Sequence, residues 1–143
     1  MYATASLEAE VMVVLRELAS AYACRDSERV LELFSEEPDA LMLGTGQEEK
    51  SIGLAGILNQ FRTDWEQLDT VRIRFGWRSV SCHGDVAWVA TDCYMFVQAG
   101  YRQTEIPLRM TAVMIDHDGQ WKISQLHISS PVLPEEEVDT ALE

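Results

Sequence analysis

The chain has 143 residues and a formal net charge of −13, from 24 acidic and 11 basic residues. This length suits one domain that buries roughly two-thirds of its unfolded surface. The negative charge repels phosphate backbones and argues against a nucleic-acid partner. No apolar run approaches the ~18 residues that a membrane span needs, so no membrane partner is expected.

Part of the acidic excess lies at the C-terminal end, in residues 135–137 and beyond. We therefore predict one domain over residues 1–131, followed by an acidic C-terminal tail over residues 132–143. The fold itself is then less acidic than the total charge.

The three cysteines, Cys24, Cys82 and Cys93, show no CxxC spacing. An odd number without a disulfide framework indicates reduced thiols in an intracellular protein. No signal peptide is recognised before Ser6. We therefore expect a cytoplasmic protein.

Apolar residues recur at the helical period in the first half of the chain. The pattern predicts a first helix from Ser6 to about Cys24, with Ser6 as its cap. A second, short helix is predicted from Glu28 to about Phe34, and a third from Leu54 to Leu68. Between the second and third helices, residues 39–46 favour a short strand that enters a glycine-rich turn.

The period then changes to two, which is typical of β-strands. We predict strands over residues 71–78, 86–97, 106–116 and 120–129. Helices followed by long antiparallel strands indicate an α+β fold. In this arrangement the three helices pack on one face of a curved antiparallel sheet.

The last two strands form a hairpin around Asp118-Gly119, a strong turn signal. A two-residue loop would place Met110 opposite His127. A three-residue loop over residues 117–119, with the glycine in a left-handed bulge position, would pair Arg109 with His127 instead.

Register is set wherever one face of a strand is buried, so the hydrophobic pattern favours the three-residue loop. With that loop, one face is uniformly apolar and consists of Leu108, Met110, Ala112, Met114, Leu126 and Ile128. The opposite face is amphipathic and holds Arg109, Thr111, Val113, Trp121, Ile123, Gln125, His127 and Ser129.

Five motifs occur in order between about residue 7 and residue 131. They are Gly44-Thr45 with Glu49 and Gly53, then Gly84-Asp85-Val86-Ala87-Trp88-Val89, Arg109-x-Thr111, Asp118-Gly119-Gln120-Trp121-Lys122-Ile123, and His127-x-Ser129 with Pro131. Together they resemble the nuclear-transport-factor-2-like superfamily. Within it the chain is similar to the SnoaL-like group near the calcium/calmodulin-dependent kinase II association domain. The resemblance implies a cone-shaped barrel with a pocket between helices and concave sheet, commonly dimeric through the convex face.

Such a pocket is expected to bind a neutral hydrophobic small molecule. Kinase association domains are expected to carry inward arginines on their last two strands, where this chain has Ala112 and Ile128. A carboxylate ligand would therefore find no counter-charge there. The predicted ligand-binding residues are Tyr22, Phe61, Trp65, Cys93, Met110 and Ile128.

The outer sheet face is expected to form a homodimer, because its aromatic and aliphatic residues are too much apolar surface for a monomer. The predicted dimer face consists of Trp88, Tyr94, Arg109, Trp121, Ile123 and His127. Asp92 is assigned to this face as well.

Neither a metal nor a cofactor is expected. The three histidines are scattered and show no metal-ligand spacing, and no phosphate-binding loop is present. Ketosteroid-isomerase-like enzymes carry a carboxylate base at the end of the first short strand, and residues 41–45 contain none. The favoured function is therefore a homodimeric binding module.

The alternative is an isomerase, cyclase or dehydratase acting on a hydrophobic small molecule. Such an enzyme needs a titratable residue inside the cone and a partner that orients it. The sequence pattern indicates no inward acid or base.

Overall fold

The computed structural model describes residues 1–131, so the predicted acidic tail lies outside the described residues. The described part is an α+β fold, as predicted, with three helices packed on a six-stranded sheet. The helices are α1 (Ala5–Cys24), α2 (Ser27–Leu33) and α3 (Gly53–Gln67). The strands are β1 (Leu41–Leu43), β2 (Lys50–Ile52), β3 (Thr70–His83), β4 (Val86–Ala99), β5 (Arg102–His117) and β6 (Gln120–Ser129).

Helix α1 starts one residue before the predicted boundary, because Thr4 and not Ser6 is the cap. The Thr4 hydroxyl accepts a hydrogen bond from the Leu7 amide at 3.2 Å. Asp26 caps α2 in the same way, through the Arg29 amide at 3.1 Å. Over residues 1–131, none of the helices combines the length and the apolar character required to cross a membrane.

Arg25 joins the C-terminal ends of α1 and α3. Its backbone adopts a left-handed conformation with φ of 59°, which ends α1 one turn after Tyr22. Its guanidinium donates to the backbone carbonyls of Trp65, Leu68 and Asp69 at the end of α3. A cation at the carbonyl end of a helix is electrostatically favourable. These contacts hold the two helix ends at a fixed separation beside the concave side of the sheet.

The sheet is open and curved, and its strand order is β2-β1-β6-β5-β4-β3. The sequence pattern predicts a wholly antiparallel sheet. The sheet is instead mixed, because β1 runs parallel to β6. All other paired neighbours are antiparallel. Parallel strands need a crossover of about a dozen residues or more, and the connection from β1 to β6, which contains α3 and three long strands, exceeds that length.

The hairpin between β5 and β6 has neither of the two predicted registers. Its turn has two residues, Asp118 and Gly119, and both have positive φ, at 53° and 84°. Positive φ at both positions is the signature of a tight hairpin turn that matches strand twist. A bulge at Ser124 then shifts the pairing, so that Thr111 lies opposite His127 and Arg109 opposite Ser129.

The bulge has two consequences for the faces of the sheet. The predicted apolar face survives, because Met110 still pairs with Ile128 and Ala112 with Leu126. Ile123, beyond the bulge, is turned to the concave side and is fully buried with an exposure of 0%. Its predicted position on the outer face is wrong, since a one-residue shift exchanges the two faces of a strand.

Trp121 is also on the helix side rather than the outer face. It pairs with Asp116, packs against the core and donates its indole N–H to a Glu10 carboxylate oxygen of α1 at 3.3 Å. The same bulge at Ser124 accounts for this inversion.

Candidate functional site

A cavity of about 190 Å³ lies between α1, α3 and the concave side of the sheet. A single water molecule occupies only about 10–15 Å³ of such cavity volume, so the space suits a molecule of several heavy atoms. Most of its walls are apolar. They are formed by Leu15, Leu18, Ala19, Tyr22, Met42, Phe61, Leu68, Ile73, Phe75, Cys93, Met95, Leu108, Met110, Leu126 and Ile128.

The predicted ligand-binding residues divide into two groups. Tyr22, Phe61, Cys93, Met110 and Ile128 line the cavity. Trp65 does not. It is stacked on Phe61, with ring centroids 6.2 Å apart, and its indole N–H donates to the Tyr22 carbonyl at 2.9 Å.

Trp65 thus supports the wall of the cavity from behind. It lies one helical turn after Phe61 on α3, but it is not among the residues that line the cavity. Its ring packs against the rings of Phe61 and Tyr22.

One end of the cavity is polar, and we call it the polar end. It consists of Tyr22, Glu49, Gln60 and Asp64. The Tyr22 hydroxyl donates to Asp64 Oδ2 at 2.8 Å. The Gln60 amide nitrogen donates both to Asp64 Oδ1 at 3.1 Å and to Glu49 Oε1 at 3.2 Å. An inward acid with an orienting partner is therefore present, contrary to the expectation from sequence.

Burial at the polar end alters the proton affinity of its groups. Desolvation raises the pKa of the Asp64 carboxyl above its usual range, although the hydrogen bonds from Tyr22 and Gln60 partly oppose this shift. Burial, followed by the nearby Asp64 charge, raises the pKa of the Tyr22 hydroxyl, which stays protonated. In this pair, the neutral Tyr22 hydroxyl donates to Asp64, and the Asp64 carboxyl binds a proton more readily than an exposed aspartate does.

Cys93 lies on the opposite, apolar wall. Burial, with a smaller contribution from the charge of Asp92, raises the pKa of its thiol to about 11. A thiol that stays protonated is a weak nucleophile. The residue acts as a small apolar wall group, as its sequence context indicated.

Glu49 is held at the polar end by the turn that follows β1. A Cβ atom added at Gly44 would lie 2.9 Å from the Cβ of Glu49. The Gly46 amide donates to the other oxygen of the same carboxylate. Glycine at position 44 is therefore required for the backbone to approach the glutamate so closely.

The sequence contained a signal for two of these polar residues. Gln60 and Asp64 are four residues apart and flank the apolar stripe of α3 that contains Phe61. Residues four apart lie on the same helical row, so both reach the same edge of the cavity. Glu49 comes from a separate loop, and no spacing in the sequence places it beside Asp64.

None of the cavity-lining side chains within residues 1–131 is a lysine, arginine or histidine. Ala112 is buried close to the wall, and Ile128 lines it. An anionic ligand would thus meet two carboxylates and no counter-charge. This agrees with the expected lack of counter-charge for a carboxylate ligand.

Four residues of the predicted dimer face do lie on the outer face. Trp88 is 42% exposed, and Tyr94 is half-buried. Arg109 is exposed and forms an ion pair with Asp92 at 3.4 Å. His127 is exposed on the neighbouring strand. The Arg74 guanidinium lies over the Tyr94 ring, 5.3 Å from its centroid.

A family model for the SnoaL-like domain matches residues 11–133 of the chain. No match to this chain was found among curated proteins. Among solved structures, a nuclear transport factor 2 (NTF2-like) superfamily protein from Salmonella enterica has a TM-score of 0.82. It is 15% identical, and the match covers 92% of this chain and 96% of that one.

Two other solved structures are similar. A candidate dehydratase of the NTF2-like family from Streptomyces avermitilis has a TM-score of 0.81 at 16% identity, covering 91% of this chain and 100% of that one. A candidate calcium/calmodulin-dependent protein kinase II association domain from Xanthomonas campestris has a TM-score of 0.76 at 23% identity, covering 88% and 87%. At these identities the likeness shows the shared fold.

Proposed function

Because the chain belongs to the SnoaL-like domain family, we propose that it is a homodimeric module that binds a hydrophobic small molecule in the cavity and rejects small carboxylates. The observation that carries this proposal is the cavity itself, with its apolar and aromatic walls. Concave, mostly apolar sites with a few convergent polar groups are typical of small-molecule binding. The two carboxylates at the polar end disfavour anions.

The binding proposal predicts that 3-phenylpropan-1-ol binds and that 3-phenylpropanoate, its carboxylate counterpart, does not. Tryptophan fluorescence titration measures the affinity of both compounds. Trp65 is the expected fluorescent reporter because it stacks on the cavity residue Phe61, and Trp65→Phe should remove its signal. We expect the alcohol to bind roughly tenfold or more tightly than the acid, since a buried charged group left without a hydrogen-bond partner costs about 1–3 kcal/mol or more. Tighter binding of the carboxylate would contradict the proposal.

A filled cavity provides the matched control. Ile128→Trp introduces a large ring at the cavity wall and should abolish alcohol binding, while overpacking costs only about 1–3 kcal/mol of stability. Ser129→Trp adds the same ring at the next position, on the opposite face of β6, and should leave alcohol binding unchanged.

The dimer proposal rests on the outer face, where Trp88 and Tyr94 present aromatic surface around the Asp92–Arg109 ion pair. A second subunit that covers this face should bury more than roughly 1,000 Å² of accessible surface in total. Trp88→Glu should raise the dimer dissociation constant about 30-fold or more, because a central aromatic truncated at an interface costs about 2 kcal/mol or more. Light scattering across a concentration series measures this.

The control for the dimer prediction is Tyr101→Glu. Tyr101 is fully exposed in the turn between β4 and β5, away from the centre of the outer face. Its substitution should leave the dimer intact. A wild-type protein that scatters as a 16.2 kDa monomer at micromolar concentration would refute the proposed assembly.

A second candidate function is an enzyme of the isomerase, cyclase or dehydratase kind. The observation that favours it is the Tyr22–Asp64 pair inside the cavity. A carboxylate with a raised pKa, oriented by a donor, suits proton abstraction next to a carbonyl group. In that step Asp64 takes the proton from the α-carbon, and the electron pair moves to the carbonyl oxygen.

Deuterium exchange into 4-phenyl-2-butanone, followed by NMR in D₂O, tests this second candidate. An active site should accelerate α-proton exchange, and Asp64→Asn should lower the catalysed rate by about 10²-fold or more. Glu66→Gln, an exposed substitution two residues further along α3, should not change the rate. Exchange no faster than in buffer would exclude this activity for the ketone.

A further inference from the structure

We propose that the preferred ligand of the cavity is a hydrophobic amine, bound as its ammonium ion between Asp64 and Glu49, with its apolar body against the aromatic and aliphatic walls. This inference rests on the proposed binding function and specifies the polar group of the ligand. It replaces the expectation of a neutral ligand.

The first argument is the balance of donors and acceptors at the polar end. The Tyr22 hydroxyl donates its one hydrogen to Asp64. Gln60 has two amide hydrogens and directs them to Asp64 and Glu49, an orientation that two carboxylates enforce because a carbonyl oxygen cannot donate. Each carboxylate still offers unused lone pairs, so the polar end mainly accepts hydrogen bonds.

Two other cavity-lining side chains can donate, namely the Thr45 hydroxyl and the Cys93 thiol. Both can also accept, and the thiol is a weak donor. They do not change the balance. A ligand group that complements this end must therefore donate several hydrogen bonds, as an ammonium with up to three N–H groups does.

The second argument is charge. Within the described residues, the cavity is lined by two carboxylates and no basic side chain. Glu49 and Asp64 are bridged by a neutral amide. The cation that acts on this end, Arg25, binds backbone carbonyls at the end of α3 and does not line the cavity. A ligand cation would compensate the two carboxylates in a site where burial strengthens electrostatic attraction. The net charge of −13 also favours the approach of cations.

A metal ion fits the polar end less well than an ammonium does. Calcium requires six to eight oxygen ligands, and magnesium demands near-ideal octahedral geometry. The remaining wall consists mainly of Leu, Ile, Met and aromatic side chains, which do not bind such ions. An organic cation uses both parts of the site, and the faces of Tyr22 and Phe61 can also contribute cation–π attraction.

Isothermal titration calorimetry with three probes of one skeleton tests the inference. The probes are 3-phenylpropylamine, 3-phenylpropan-1-ol and 3-phenylpropanoate. At pH 7 the amine should bind roughly 10- to 100-fold more tightly than the alcohol, in line with about 1.5–3 kcal/mol for charge-assisted hydrogen bonds. Asp64→Asn and Glu49→Gln should each remove most of this amine preference, measured as the ratio of amine to alcohol affinity within the same variant.

Two exposed substitutions provide matched controls. Glu48→Gln lies next to Glu49, and Glu66→Gln lies two residues after Asp64; neither residue lines the cavity. Both variants should keep the amine preference of the wild-type protein. Circular dichroism of every variant confirms that the fold is retained.

The outcomes separate the inference from the proposed function. Equal binding of amine and alcohol overturns the amine preference and leaves the binding module standing. An amine preference that survives both carboxylate substitutions also overturns the assignment of the ammonium to this end. Failure of all three probes to bind, or preferential binding of the carboxylate, overturns the proposed function and the inference with it.

Discussion

Trp65→Ala should lower the free energy of unfolding by about 3–5 kcal/mol, the usual cost of removing a large buried aromatic side chain. Trp65 is 8% exposed, and its ring stacks on Phe61. Its indole N–H satisfies the Tyr22 carbonyl in the last turn of α1. The substitution therefore leaves a cavity and removes a hydrogen bond between α1 and α3. Chemical denaturation followed by circular dichroism measures the change.

Trp65→Phe separates the two contributions. It keeps most of the buried ring but loses the N–H donor, while the Tyr22 carbonyl keeps its hydrogen bond from the Arg25 amide at 3.3 Å. We therefore expect a smaller loss of about 1–3 kcal/mol from the lost hydrogen bond and the missing volume. Trp77→Ala is the matched control at an exposed tryptophan, with 61% exposure, and should stay within about 0.5 kcal/mol. A Trp65→Ala protein as stable as wild type would contradict the structural role assigned to this residue.

Ile123→Ala should lower the free energy of unfolding by about 2–5 kcal/mol. The side chain is fully buried on the concave side of the sheet, and its backbone carbonyl accepts a hydrogen bond from the Ser35 amide at 2.8 Å. A charge at this position should unfold the protein, because an unpaired buried charge is not tolerated. On the predicted dimer face, where the sequence pattern places Ile123, the same charge would lie outside the core.

Ile52→Ala is the control for this second prediction. Ile52 also lies in a strand, but it is 69% exposed, so its truncation should change stability by no more than about 0.5 kcal/mol. Thermal and urea denaturation of the two alanine variants can be compared directly. If Ile123→Ala proved as mild as Ile52→Ala, the bulge at Ser124 and the inward position of Ile123 would both be wrong.

The sequence by itself determined the fold class and the order of the helices and long strands, but not the short strand β2. The helical stripe that includes Val11, Leu15 and Leu18 predicted α1, and those residues are buried. The alternation around Val71 and Ile73 predicted β3. These signals are local, because the burial of one face imposes a period of 3.6 or two on a single segment. The family motifs added the cone and its pocket.

The chain also specified the apolar face of the last hairpin, although not its register. Met110 and Ile128 share the concave side in the predicted register and in the structure, which differ by two residues in their pairing. A shift of two residues preserves faces, whereas a shift of one exchanges them. The apolar pattern therefore fixed the face of these two residues without fixing their partners.

Only the tertiary structure decided where Ile123 points and what the polar end contains. The bulge at Ser124 exchanges the two faces of the sheet along β6. The residues on both sides of Ser124 alternate only loosely between polar and apolar, so a period-two pattern does not reveal the extra residue. Glu49 and Asp64 both accept from Gln60 because a loop after β1 and the C-terminal half of α3 converge over the same sheet. This arrangement depends on the curvature of the whole fold, which is a property of long-range packing rather than of any single segment.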